Sequence, residues 1–238
     1  MIEKEDVNKA VVDFCMEVIE HPLVYFSECD LHFLLSEKLK KNVKELQNKY
    51  PTDYPRCKGS KNRYKTQLLH REYGVKGGRK MDICIFSKEQ IAEINHWNLT
   101  KNKRDGYIKP LFGFELGSEK TRKKDHMIKD LEKLEGNCSN GYIIHFFKDI
   151  TTARDNTSRR RQKDEKIKKG FKDMVSRSIN KRKSNKVKII AVLISLFRKQ
   201  EGNWPQCEIF DEISGWEPFE NQQTSESKIR ELLKFQLE

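Results

Sequence analysis

The N-terminal part of the chain places its apolar residues with the period of an α-helix. Between Val7 and Ile19 they recur at steps of three and four residues, which predicts a helix that buries one face and ends before Pro22. A second helix is predicted from Ser27, whose hydroxyl can cap it while Asp30 supports the first turn. Its apolar stripe comprises Leu31, Leu34, Leu35 and Leu39.

The pattern then changes from helical to strand-like. Residues 40–65 are polar and contain prolines and a glycine, which predicts a loop. The runs 67–75 and 79–86 flank two glycines suited to a tight turn, and this arrangement predicts an antiparallel hairpin. After an insert at 88–109, further strands are predicted at 111–116, 142–147 and 188–197, helices at 127–134 and 167–175, and an edge strand with a last helix in 201–238.

The order of these elements predicts an α/β fold. Two helices, three strands and then alternating helices and strands indicate a central mixed sheet of four to six strands with helices on both faces. The strands around the helix at 127–134 should be parallel, as in a βαβ unit. A chain of 238 residues favours one domain, with 201–238 as an alternative C-terminal appendage.

Composition indicates the kind of partner. The formal net charge is +12 and the pI is near 9.3, which favour a polyanion such as nucleic acid. The longest apolar run, 189–197, is too short to span a bilayer, and the start lacks the apolar stretch of a secretory signal. The six cysteines include no C-x-x-C pair, so free thiols in a reducing compartment are expected. We therefore expect an intracellular protein without a membrane partner, cytoplasmic or, in a eukaryote, nuclear.

Two carboxylates interrupt otherwise apolar strands. Asp82 lies in MDICIF (81–86) and Glu115 in LFGFEL (111–116), and burying either charge is costly unless something compensates it. A divalent cation would do so, and oxygen ligands suit Mg²⁺, with Mn²⁺ as a substitute. The backbone carbonyl of Leu116 is a further predicted ligand, as is Glu72, which the hairpin register places opposite Asp82. The alternative is that these acids are ordinary ion-pair partners.

Five segments together resemble the PD-(D/E)XK nuclease superfamily, which has a restriction-endonuclease-like α/β/α core. They are SECDLHFLL (27–35), LHREYG (69–74), RKMDICIF (79–86), FGFELG (112–117) and KDLEKL (129–134), so the resemblance covers 27–150. It implies that Asp82 and Glu115 bind the metal ion and that Glu28 orients water or a metal-bound ligand. The family's E-x-K lysine is replaced by Gly117. We predict that Lys120 takes over its role, with Lys129 as a weaker alternative.

The resemblance implies an activity. It predicts a Mg²⁺-dependent endonuclease that hydrolyses DNA phosphodiester bonds in restriction, defence or a mobile element. One alternative is a catalytically inactive nuclease fold that binds nucleic acid or serves in assembly, and another is an RNA nuclease. A homodimer with two symmetric sites would be a natural way to cut both strands.

Three basic runs are predicted to contact phosphates, with solvated helix ends and loops as the alternative. The residues concerned are Arg122, Lys123, Lys124, Arg159, Arg160, Arg161, Lys181, Arg182 and Lys183. The histidines show no triad or metal-site spacing, so structural or surface roles are expected for His70, His126 and His145.

Overall fold

The computed structural model describes residues 1–25, 27–55, 63–75, 79–93, 108–119, 125–149, 158–195, 205–219 and 221–234. The helices in these ranges are α1 (Lys4–Glu20), α2 (Glu28–Asn42), α3 (Lys88–Ala92), α4 (His126–Asn137), α5 (Ser158–Lys181) and α6 (Gln222–Lys234), with a 3₁₀ helix at Lys44–Gln47. The strands are β1 (Lys49–Pro55), β2 (Arg63–Gln67), β3 (Leu69–Val75), β4 (Arg79–Ile85), β5 (Phe112–Glu119), β6 (Asn140–Asp149), β7 (Val187–Ser195), β8 (Cys207–Asp211) and β9 (Gly215–Phe219).

The main sheet has seven strands in the order β3-β4-β5-β6-β7-β8-β9. The pairs β5-β6 and β6-β7 are parallel, and the other four pairings are antiparallel. The mixed α/β class, the hairpin β3-β4 and the parallel βαβ connection are confirmed. The predicted number of four to six strands is wrong, because residues 205–219 add two strands to the same sheet.

The two N-terminal helices form as their sequence pattern predicts. In α1 the apolar positions from Val7 to Ile19 are buried, and the helix ends at Glu20. In α2 the Ser27 hydroxyl accepts a hydrogen bond from the backbone N–H of Asp30, whose carboxylate accepts from the Ser27 N–H at 2.8 Å. This reciprocal cap fixes the start of α2, and therefore which of its side chains face the sheet.

The prediction of a loop at 40–65 is wrong, because β1 and β2 form a separate antiparallel sheet of two strands. Thr52 is buried on β1 and its hydroxyl donates to the carbonyl oxygen of Tyr64 on β2 at 3.1 Å. Pro51 and Pro55 favour a break in regular structure. An edge strand nevertheless tolerates proline, which lacks an N–H, because the outward-facing side of the strand needs no hydrogen-bond donor.

Helices cover both faces of the main sheet. Successive residues of a strand point to opposite faces. Phe114 on β5 stacks on Tyr142, whose hydroxyl donates to Asn8 of α1 at 2.8 Å. The neighbouring Glu115 instead contacts Lys133 of α4. The side chain of Glu115 therefore lies on the face that α4 covers.

The C-terminal segment packs into the same hydrophobic core as the rest of the described chain. Cys207, Ile209, Ile229 and Leu233 belong to the same buried cluster as the apolar residues of α1 and the central strands. None of the described helices is long and apolar enough to cross a membrane. Among the described cysteines, Cys29 is exposed and the other four are buried, all as free thiols.

Candidate metal site

Asp82 is held against the strand that carries Glu115. The β4-β5 ladder pairs Ile83 with Phe114 and continues from there toward Ile85. Beside this ladder the Asp82 Oδ2 accepts a hydrogen bond from the backbone N–H of Leu116 at 2.8 Å. The carboxylate is therefore fixed to the backbone one residue beyond Glu115, and the two predicted metal ligands are brought together.

Glu115 is almost completely buried. Only 2 % of the residue is exposed, and its Oε2 accepts a hydrogen bond from the Lys133 Nζ at 2.6 Å. The other oxygen, Oε1, is buried and has no hydrogen-bond partner among the residues that the structure describes. A buried carboxylate oxygen without a donor is costly, unless a cation compensates it.

Lys133 enters the site from α4. Its Nζ also donates to the backbone carbonyl of Lys80 at 2.9 Å and lies 3.3 Å from the Asp130 Oδ1, one helical turn earlier. An ammonium group has three donors, and these three acceptors can satisfy all of them. Lys133 is consequently held in one position beside Glu115.

The electrostatics of the site favour additional positive charge. Burial raises the pKa of Glu115, and the nearby carboxylates of Asp82 and Asp130 raise it further, to about 9, against the opposing effect of Lys133. Burial lowers the pKa of Lys133, but the neighbouring carboxylates outweigh this and raise it. Lys133 therefore compensates the buried charge of Glu115 only in part, so a bound cation would stabilise the ionised form of this carboxyl group.

His32 contacts Asp82 from the opposite helix layer. It lies one turn into α2, and its Nε2 is 3.4 Å from the Asp82 Oδ2. The interaction with Asp82 raises the pKa of His32 despite the opposing effect of burial, and Glu72 and Glu28 contribute in the same direction. The site is therefore built from α2, two strands and α4.

A buried histidine fills the space that any side chain at position 117 would need. A Cβ on Gly117 would lie 2.6 Å from ring atoms of His145, on the neighbouring strand β6. His145 is fully buried, stacks against His126 with 5.3 Å between ring centroids, and lies 4.0 Å from Asp130. No side chain can begin at position 117 without displacing this ring.

The other predicted acids lie at the edge of the site. Glu28 is the exposed first residue of α2, close enough to His32 to raise the pKa of that imidazole. Glu72 lies between Arg71 and Tyr73, which pair with Ile83 and Met81, has a positive φ of 53°, and its carboxylate lies 3.6 Å from the Lys80 Nζ. Its contact is therefore with a surface lysine, and its predicted role as a metal ligand stays a prediction.

Among the predicted lysines, Lys120 lies outside the described residues, as do Arg122, Lys123 and Lys124. Lys129 is exposed on α4. The same helix presents Lys133 to Glu115, one turn after Lys129. Within the described part of the chain, the lysine beside Glu115 is therefore Lys133, which was not among the predicted residues.

The remaining basic residues are less informative. Arg159, Arg160 and Arg161 belong to the first turn of α5, and their side chains lie outside the described part. Arg182 forks onto Glu212 with distances of 2.5 and 2.7 Å, while Lys181 and Lys183 are exposed. These last three residues precede β7, so they lie near the beginnings of the parallel strands, whereas Asp82 lies beside the middle of β5.

Two site residues were missed, and each left a weak signal. Lys133 is three residues after Asp130, a spacing at which two side chains of a helix can form an ion pair. His32 lies four residues after Glu28 and directly follows Leu31, which faces the core. Both signals are local, so neither indicates which strand the residue meets.

The donor set fits a hard cation with few protein ligands. Among the described residues, no three His, Cys, Asp or Glu side chains are grouped closely enough to hold a metal ion by themselves. Mg²⁺ is commonly bound through one or two carboxylates, with water and substrate phosphate completing its coordination. Asp82 and Glu115, whose Oε1 accepts no hydrogen bond among the described residues, fit that mode.

No family model, no curated protein and no solved structure matches this chain.

Proposed function

We propose that this protein is a metal-dependent endonuclease that hydrolyses DNA phosphodiester bonds. Asp82 and Glu115 would bind Mg²⁺ or Mn²⁺, with the Leu116 carbonyl as a further ligand. The observation that carries the proposal is the 2.6 Å contact between the Lys133 Nζ and the Glu115 Oε2, because it supplies a lysine beside the metal-binding acid although position 117 is glycine.

Each residue of the site has a role in this reaction. When bound, the metal ion would neutralise charge on the scissile phosphate and supply hydroxide. Lys133 would place a positive charge beside the attacking water and the phosphate, because its other contacts fix the Nζ. The Leu116 N–H and His32 hold the Asp82 carboxylate in place.

Charge supports a polyanionic substrate. The chain carries a net charge of +12, which attracts nucleic acid at long range and is screened by salt. DNA is proposed ahead of RNA because of the resemblance to restriction-type nucleases. Restriction, defence or a mobile element would be the setting for this activity.

Cleavage of plasmid and linear DNA in Mg²⁺ or Mn²⁺ tests the proposal. We expect products with the wild type and at least a hundredfold loss with Asp82→Asn, Glu115→Gln or Lys133→Gln, since removing a group that stabilises the transition state costs about 10²–10³ in kcat. Lys129→Gln is the matched control, because it removes an exposed lysine from the same helix and should cleave normally. Each variant is compared at equal folded fraction, measured by thermal unfolding.

Cleavage that survives both carboxylate substitutions would contradict the proposal, as would equal losses in Lys133→Gln and Lys129→Gln. The same assay with RNA of matching sequence tests the RNA-nuclease alternative. The ratio of nicked to linear plasmid product tests whether two sites of a homodimer act together.

One observation favours the catalytically inactive alternative. Among the described side chains no three potential metal ligands are grouped together, and the Glu115 Oε2 already accepts a hydrogen bond from Lys133. A binding or assembly protein with this fold would show salt-sensitive DNA binding that persists in Asp82→Ala and Glu115→Ala, and no metal-dependent product.

A further inference from the structure

The strands β1, β2 and β3 and the start of β4 carry an excess of positive charge. The described segments 49–55, 63–75 and 79–80 contain six Lys and Arg residues against two acidic residues. Three of the basic side chains are exposed and form no ion pair with a described residue, namely Lys49, Lys65 and Arg71. We call these three residues the basic edge.

The two acidic residues of these segments do not neutralise the basic edge. The Asp53 carboxylate lies 3.8 Å from the guanidinium of Arg63, and the Glu72 carboxylate lies 3.6 Å from the Lys80 Nζ. Each acid is thus paired with a basic residue outside the basic edge. The positive charge that remains faces solvent and is available to a partner.

Lys49 and Lys65 lie on the solvent face of the two-stranded ribbon β1-β2. The register of the ladder makes them diagonal neighbours on one face of the ribbon. The opposite face is turned toward the protein, because Thr52 is buried and Tyr50 packs against the hydrophobic core. Two unpaired ammonium groups therefore stand side by side on the exposed face.

Arg71 joins the ribbon to the candidate metal site. It lies on β3, the edge strand of the main sheet, directly opposite Ile83 on β4, and Ile83 follows Asp82 in the sequence. One residue separates β2 from β3. The six residue steps from Lys65 to Arg71 span at most about 20 Å, which is less than one turn of duplex DNA, about 34 Å.

We infer that the basic edge binds the phosphate backbone of duplex DNA and so presents a phosphate to the candidate metal site. The inference rests on the proposed function and deepens it, because it names the surface that holds the substrate and the form of that substrate. Lysine and arginine contact phosphate oxygens in protein–DNA complexes, and such contacts fix the position of the protein on the duplex.

Two features favour a duplex over a single strand. The major groove of B-DNA admits a two-stranded ribbon such as β1-β2. Proteins that bind single strands combine positive charge with aromatic rings on which bases stack. The ribbon face that carries Lys49 and Lys65 also carries Pro51 and Gln67, none of which is aromatic. This face therefore offers charge to a backbone and no ring to an unpaired base.

Equilibrium binding of the full chain in EDTA tests the inference without cleavage. Fluorescence anisotropy measures the Kd of a fluorescein-labelled DNA duplex, of one of its strands and of an RNA duplex of the same sequence, at several salt concentrations. We expect the triple variant Lys49→Gln/Lys65→Gln/Arg71→Gln to bind the DNA duplex about tenfold or more weakly at 50 mM salt. The slope of log Kd against log salt should fall by about 2–3, since each phosphate contact contributes about 0.9.

The matched control is Lys9→Gln/Lys169→Gln/Lys186→Gln, which removes the same charge from exposed positions on α1, α5 and the turn before β7. It should keep the Kd and the salt slope close to those of the wild type. The variant Lys49→Arg/Lys65→Arg/Arg71→Lys retains the charges and should retain the affinity. Thermal unfolding checks that all three variants fold.

Three results would overturn the inference. Equal weakening in the Gln triple variant and in the control would mean that net charge alone attracts DNA. Unchanged binding in the Gln triple variant would mean that these charges serve only to keep the sheet edge from pairing with another chain. Tighter binding of the single strand or of duplex RNA than of duplex DNA would exclude duplex DNA as the occupant.

The two proposals fail separately. The binding measurement needs no metal ion and no catalysis, so a wild type that does not cleave DNA would refute the nuclease and leave the basic edge to be decided by the Kd values. Conversely, cleavage that requires Asp82 and Glu115 but proceeds with the wild-type KM in the Gln triple variant would retain the nuclease and refute only the role of the basic edge.

Discussion

The imidazole of His145 fills the space where a side chain on Gly117 would begin. Ring atoms of His145 lie 2.6 Å from the position of a Cβ at residue 117, much closer than two carbon atoms can approach. The two residues are register partners on the parallel strands β5 and β6. Glycine at position 117 is therefore required by a buried histidine, and the lysine that contacts Glu115 comes from α4.

Gly117→Ala should destabilise the fold, because the new methyl group forces the His145 ring out of a closely packed core. We expect a loss of about 1–3 kcal/mol in the free energy of unfolding, measured with urea. Gly136→Ala is the control, since a Cβ there meets nothing within 4 Å, and it should be neutral or stabilising. Similar losses in the two variants would contradict the packing argument.

Lys133→Met should be destabilising. It leaves the carboxyl group of Glu115 buried without its hydrogen-bond donor, and leaving a buried polar group unpaired costs about 1–3 kcal/mol. Adding Glu115→Gln should recover part of this loss, because the amide cannot ionise. Urea unfolding compares Lys133→Met, the control Lys129→Met and the double variant Lys133→Met/Glu115→Gln. A loss of stability in Lys133→Met as small as that in Lys129→Met would refute the prediction.

Lys188 should make the protein more stable as the pH rises above neutrality. The residue is 5 % exposed on β7, its Nζ donates to the Leu233 carbonyl of α6, and burial together with the charge of Lys4 lowers its pKa from 10.5 to about 8. Between these two values the unfolded chain binds more protons than the folded one, so stability increases with pH through that window.

Comparison with Lys188→Met isolates this effect. The stability of the wild type relative to the variant should increase by about 3 kcal/mol between pH 8 and 10.5, as the penalty for a buried ammonium disappears. Urea unfolding at a series of pH values measures the difference. A difference that stays constant over this range would show that Lys188 keeps its usual pKa in the folded protein.

Sequence patterns were sufficient for most local structure because the signals are local. The periodic stripe of α1, the cap at Ser27 and the two carboxylates on apolar strands each depend on neighbouring residues, and all are found where they were expected. The error at 40–65 is also local. Its prolines favour a loop, whereas the tyrosines and threonines around them favour strands, and the strands form.

What the sequence alone determined is the α/β class, the order of the main helices and strands, and the presence of Asp82 and Glu115 on strands where a charge is costly. Only the tertiary structure decided that the sheet has seven strands, that Lys133 meets Glu115 and that His145 excludes a side chain at Gly117. The physical reason is the separation along the sequence of the residues that interact. Helix and strand formation depend on residues a few positions apart, whereas these contacts join elements whose relative position is set by the packing of the whole core.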